Sequence, residues 1–149
     1  MVQFYSGSVV TLFLSGTCPC VIFPSVYDFG NLVCDNDVIH DFPEDVLDLC
    51  PTFEFSKIKG IYLSYQNFNV LKANAFAKFL NLIRLTMRRC NIKKILSGAF
   101  KNQTKLRGVY LYDNNISEIE DGAFDDLVHV EEIDLDSNPV DRYLPKKHK

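Results

Sequence analysis

The chain lacks the features that mark an enzyme, a membrane-spanning protein or a nucleic-acid binder. No stretch of 18 consecutive apolar residues occurs, and a bilayer-spanning helix needs about that many. A basic excess is missing too: the formal net charge is −3, whereas a general nucleic-acid binder carries a surplus of Lys and Arg. Histidine is scarce. His40, His129 and His148 stand far apart and do not converge on one nucleophile or metal. There is no Gly-rich phosphate loop, no Gly-x-Ser-x-Gly elbow and no His-Glu-x-x-His, the short patterns that carry phosphate binding, acyl transfer and zinc hydrolysis. The acidic pairs lie along a polar surface without the apolar pocket that raises one carboxyl pKa above its neighbour. No catalytic residue, cofactor or metal is therefore expected.

What is present starts with 149 residues, 47% hydrophobic and 23% charged, enough for one domain with an apolar core and too few for two. The five cysteines are unevenly placed: Cys18, Cys20, Cys34 and Cys50 fall in the first third, and Cys90 stands alone. Four clustered thiols without a histidine in zinc-finger spacing read as two disulfides rather than a metal site. Two disulfides point to an oxidising compartment. The three possible pairings stay open, although bonding Cys18 to Cys20 strains so short a loop. Ahead of them, Val9-Val10-Thr11-Leu12-Phe13-Leu14 is an apolar run, and Ser15-Gly16-Thr17 supplies small residues before Cys18. Residues 1–17 are accordingly read as a signal peptide, although no Lys or Arg precedes the run.

An internal repeat decides the fold. Segments starting at Ile58, Leu82, Leu106 and Val130 are 24 residues apart. Their fourth positions are Ile61, Leu85, Val109 and Ile133, and their sixth are Leu63, Met87, Leu111 and Leu135. The eleventh (Phe68, Ile92, Ile116, Val140) and fourteenth (Leu71, Ile95, Ile119, Tyr143) are hydrophobic as well, and Ala75-Phe76, Ala99-Phe100 and Ala123-Phe124 keep the same phase. Alternation around the fourth and sixth positions is the two-residue period of a half-buried strand. The rest of each repeat must return the chain to lay the next strand parallel to the last. Phe76, Phe100 and Phe124 should stack as a spine on the convex side. The ninth position, Gln66, Cys90, Asn114 and Asn138, should bond the backbone of the adjacent turn, which makes Cys90 a structural, buried thiol.

The run Leu106-Arg107-Gly108-Val109-Tyr110-Leu111-Tyr112-Asp113-Asn114-Asn115-Ile116, with Ile119 and Gly122-Ala123-Phe124 following, resembles the animal extracellular leucine-rich-repeat family. Cys18-Pro19-Cys20 and the stretch from Cys34 to Pro43 resemble that family's cysteine-rich N-terminal cap, in the style of secreted arthropod members. The cap departs from the pattern: one cysteine before Cys18 is missing and Cys50 lies late. Asn138-Pro139 begins like the family's C-terminal cap, yet no cysteine follows. The resemblance implies an α/β leucine-rich-repeat solenoid, a horseshoe segment with a parallel β-sheet on the concave face and an irregular or short-helical convex side. It divides the chain into a signal peptide (1–17), a cap (18–57), about 3.5 repeats (58–143) and a basic tail (144–149).

For function, the phase of the repeat places Tyr62, Arg84, Arg88, Arg89, Tyr110 and Tyr112 on the concave sheet surface. Tyr and Arg dominate binding hot spots, so these six form the expected partner-binding patch of a secreted or extracellular module that recognises a protein. Lateral charge pairs, Arg89 with Asp113 and Arg107 with Glu131, are the plainer reading of part of that surface. Two sequons, Asn102-Gln103-Thr104 and Asn115-Ile116-Ser117, are glycosylation candidates. The rival readings are a non-catalytic accessory subunit of a larger assembly and a fragment of a receptor or matrix protein. Oligomeric state and the ligand's identity are not legible in the chain.

Overall fold

The computed structural model describes residues 20–23, 30–35 and 54–142. The segment 1–17 expected to be a signal peptide, Cys18, Cys50, His40, Tyr143 and the tail at 144–149 lie outside the described residues.

Alternating sequence becomes strand at the expected phase. Strands β3 (Gly60–Ser64), β5 (Arg84–Arg88), β7 (Gly108–Tyr110) and β9 (Glu132–Asp134) lie parallel. Each steps by one repeat: Ile61 faces Leu85, Leu85 faces Val109, and Val109 faces Ile133. Leu63 faces Met87 in the next inward column. Ile61, Leu63, Leu85, Met87, Val109 and Leu111 are fully buried, so the inner face of the sheet is one continuous core. Two further strands extend it. β1 (Cys20–Phe23) pairs antiparallel with β2 (Asn31–Asp35), and β2 pairs parallel with β3. Cys20 lies opposite Cys34, and the two form a disulfide. Cys34 in turn faces Leu63, so the bridge continues the inward column where each repeat places Leu or Met.

The return path carries no α-helix among the described residues. It contains 3-10 turns at Phe55–Lys57 and Pro139–Arg142 and a second small parallel sheet. That sheet is formed by β4 (Val70–Leu71), β6 (Lys94–Ile95) and β8 (Glu118–Ile119). The convex side is thus irregular, with paired strand fragments in place of short helices. Phe76, Phe100 and Phe124 stack as expected, with ring centroids 5.3 and 5.4 Å apart and planes within 9° and 20°. Burying such a ring stabilises by about 1.5–3 kcal/mol.

Two columns bend the backbone. Asn74, Gly98 and Gly122 recur at one phase with φ of 61°, 68° and 78°, where glycine carries no penalty and asparagine a small one. Tyr65, Arg89, Asp113 and Ser137 recur at another with φ between 53° and 60°. None of these is a glycine, so composition carried no sign of this turn. It swings each repeat off the concave sheet.

The ninth-position ladder ties the turns together. Asn114 donates from Nδ2 to the carbonyls of Met87, Leu111 and Tyr112, and its Oδ1 accepts from the amides of Cys90 and Ile92. Asn138 donates to Leu111, Leu135 and Asp136 and accepts from the Ile116 amide. Gln66 donates to the carbonyls of Ser64 and Cys34. Cys90 fills the same place with a thiol that donates to the carbonyls of Leu63 and Arg88. It is fully buried, and burial pushes its pKa up to about 12. A thiolate, the reactive form, is thereby suppressed.

Candidate functional site

The outward positions of the sheet form rows that run across the strands. One row is Asn31, Gly60, Arg84, Gly108, Glu132, and the next is Val33, Tyr62, Thr86, Tyr110, Asp134. Ser64 and Arg88 begin a third, which Tyr112 and Asp136 continue at the 24-residue period. Tyr62, Arg88, Tyr110 and Tyr112 are half-buried here, while Arg84 and Arg89 are exposed.

The patch is organised by cation–aromatic stacking. The Arg84 guanidinium lies 5.1 Å from the ring centre of Tyr110, and that of Arg88 lies 5.6 Å from Tyr112. Arg89 stacks 5.6 Å from Tyr65 and donates to its hydroxyl at 2.9 Å. Such contacts contribute about 0.5–1 kcal/mol at exposed sites, enough to set side-chain direction. The hydrogen bond to Tyr65, reinforced by Asp113, holds the Arg89 guanidinium above its ordinary pKa.

Glycine shapes the same surface. A Cβ at Gly108 would lie 2.7 Å from Cε2 of Tyr110, and one at Gly60 would meet Asn31 Oδ1 at 2.3 Å and Tyr62 Cε2 at 3.0 Å. The phase alone puts both glycines on the open face. Both are instead buried, because the ring of Tyr110 folds back over Gly108, while the Asn31 side chain and the ring of Tyr62 cover Gly60. The rings lie against the sheet rather than standing off it.

The lateral charge pairs also form. Asp113 Oδ2 receives Arg88 Nε at 3.2 Å and Arg89 Nε at 3.5 Å, and Arg107 Nη1 meets Glu131 Oε1 at 2.6 Å. Glu132 accepts from the Tyr110 hydroxyl at 2.7 Å. That bond is the main cause that raises the Tyr110 pKa, with nearby Arg84 opposing it. On the convex side, Lys94 bridges Glu118 and Glu120 at 2.8 Å each. Lys94 and the Ser97 amide together lower the Glu120 pKa.

Both sequon asparagines are exposed. Asn102 sits in a turn where its backbone amide donates to Asp126. Asn115 follows Asn67 and Asn91 at the repeat phase, and Asn91 donates to Asn67 across the turns. Among the described residues no three His, Cys, Asp or Glu side chains gather as a metal site, and no helix is long and apolar enough to cross a membrane.

Comparison with known proteins agrees with this geometry. Residues 81–140 match the family model described as leucine rich repeat, and the fold is that of a leucine-rich-repeat solenoid. Human 5T4 (Wnt-activated inhibitory factor 1, trophoblast glycoprotein) superimposes with a TM-score of 0.66 at 21% identity, over 90% of this chain and 47% of that one. TLR13, from a TLR13–ssRNA13 complex, does so with a TM-score of 0.59 at 18% identity, over 80% of this chain and 19% of that one. The chain therefore spans about half of 5T4 and a fifth of TLR13. No curated protein sequence matches it. Leucine-rich-repeat solenoids as a class present extended concave surfaces to protein partners.

Proposed function

We propose that the protein is an extracellular, non-catalytic binding module that recognises a protein partner through its concave face. Tyr62, Arg84, Arg88, Arg89, Tyr110 and Tyr112 form its contact patch. The observation that carries this reading is the stacking of Arg84 on Tyr110 and Arg88 on Tyr112 along adjacent outward rows. Planar side chains held in place lose little entropy on binding, and aromatic and Arg anchors supply most interface energy. The acidic last strand and the net charge of −3 favour a protein over a nucleic acid.

The Cys20–Cys34 disulfide supports an oxidising, extracellular setting, reached through a signal peptide at 1–17. On this reading residues 18–57 are a cystine cap, 58–143 the repeats and 144–149 a solvated tail. Cys18 and Cys50 are the candidates for a second bridge, and the exposed Asn102 and Asn115 are the candidates for glycans. Expression in a secreting animal cell, with mass spectrometry of the medium, tests these points together: cleavage near Thr17, two cystines and occupied sequons are expected. A pull-down from extracellular fluid tests the face. Alanine at Arg88, Tyr110 and Tyr112 is expected to lose the partner, and retention of every partner would remove the concave-face assignment.

A second reading, an accessory subunit docked through the last turn, is favoured by the incomplete burial of Phe124 and Ile133. Size-exclusion chromatography separates the two, since a well-behaved monomer argues against an obligate subunit.

A further inference from the structure

The arginines of the concave face are not equivalent. Arg88 and Arg89 share one oxygen of Asp113, and Arg107 is held by Glu131. Arg84 has no acidic partner among the described residues; its guanidinium rests only on the Tyr110 ring. Its row explains why. The register places Gly60 on one side and Gly108 on the other, so neither neighbouring strand offers a side chain at that level. The place at Gly108 is taken by the folded-back ring of Tyr110, and that at Gly60 by the Asn31 side chain together with the ring of Tyr62. Glu132, the next residue of the row, accepts from the Tyr110 hydroxyl. An exposed cation is thus held in direction by an aromatic ring while its charge is left unsatisfied.

We propose that Arg84 is the anion anchor of the face and binds a carboxylate of an acidic side chain in a protein partner. A basic residue of the same partner segment would meet Glu132 and Asp134 on β9. The inference rests on the concave-face reading and names the chemistry of its partner. Complementarity sets the spacing. From β5 to β9 there are two strand steps of about 4.8 Å each, or about 10 Å, and an extended peptide advances about 3.3 Å per residue. The segment crossing the strands therefore carries Asp or Glu and Lys or Arg about three residues apart. A planar guanidinium can receive the carboxylate in bidentate fashion, and a flanking apolar residue of the segment can lie on the tyrosine rings.

Selection of a random 12-residue peptide library against the full, disulfide-intact chain tests the proposal. Enriched peptides are expected to pair an acidic residue with a basic one about three positions away. A charge-assisted bond of this kind sets the expected loss of affinity with Arg84→Gln at about tenfold. Arg84→Lys should keep the acid preference in weakened form, and selection against Arg84→Glu should exchange the acidic position for a basic one. Thr86→Trp fills the centre of the face by bulk and separates the two claims. Peptides that bind Thr86→Trp unchanged overturn the concave-face reading itself. Peptides lost with Thr86→Trp but indifferent to Arg84→Gln overturn the anchor alone. Arg84-dependent retention of a heparin oligosaccharide, with no acidic peptide enriched, overturns the assignment to a protein partner.

Discussion

The turn containing Leu85, Ile95 and Phe100 and the turn containing Val109, Ile119 and Phe124 share a sequence pattern but not an environment. Leu85, Ile95 and Phe100 are fully buried, as is Val109, whereas Ile119, Phe124 and Ile133 are only partly covered. The inner turn is stacked on both sides along its whole length, whereas the outer one is followed by β9 on the concave side and, among the described residues, by no further strand fragment beside β8 and no further ring on Phe124. In a quasi-one-dimensional solid, stability is a sum of intrinsic and nearest-neighbour terms, so identical residues differ in worth by where they stand. The hydrogen-bond ladder follows that gradient only weakly: Asn138 makes four side-chain bonds against five for Asn114.

The largest expected contrast is in the aromatic spine. Phe100→Ala should cost about 3–5 kcal/mol, as for a sealed core ring, and Phe124→Ala about half as much, measured by urea unfolding. Equal losses would abolish the distinction between inner and outer turns. The ladder should show no such contrast. Asn114→Ala and Asn138→Ala each leave orphaned backbone groups, and each should cost about 2 kcal/mol; a near-neutral Asn138→Ala would show the last turn satisfied by water.

Cys90 gives a pH-dependent test of the inner turn. Its folded pKa of about 12 exceeds the ordinary value of 9.0. The unfolded chain therefore ionises first as pH rises. The stability this thiol contributes is complete below about pH 9 and is lost between there and pH 12. At pH 8 the native thiol should resist iodoacetamide and react only as fast as the chain unfolds. Rapid alkylation under native conditions would place Cys90 outside the sealed ladder. The smallest effect belongs to Arg107 and Glu131, whose side chains are 64% and 66% exposed. A double-mutant cycle on the pair should yield no more than about 0.5 kcal/mol and vanish in high salt.

Much of this architecture was legible because a solenoid repeats its physics at a fixed interval. The inward columns, the phenylalanine spine and the hydrogen-bonding ninth position all follow from the 24-residue phase, and so do the lateral partners Arg89–Asp113 and Arg107–Glu131. Less legible was the left-handed turn at Tyr65, Arg89, Asp113 and Ser137, because residues as unlike as tyrosine and aspartate are held there by the turn above and below. The extension of the sheet by Cys20–Phe23 and Asn31–Asp35 was equally hidden, since those strands lie outside the repeat and pair by tertiary contact.

By itself the sequence determined the period, and with it which side chains enter the core and which stand on the concave face. A strand has only two faces, and one apolar column assigns both. Tertiary structure alone decided how the tyrosine rings lie on that outer face. Whether an arginine is neutralised depends on what the neighbouring turn places 24 residues away: Asp113 lies beside Arg89, and Gly108 beside Arg84. Where the neighbour is glycine, a tyrosine ring folds into the space and the charge stays available.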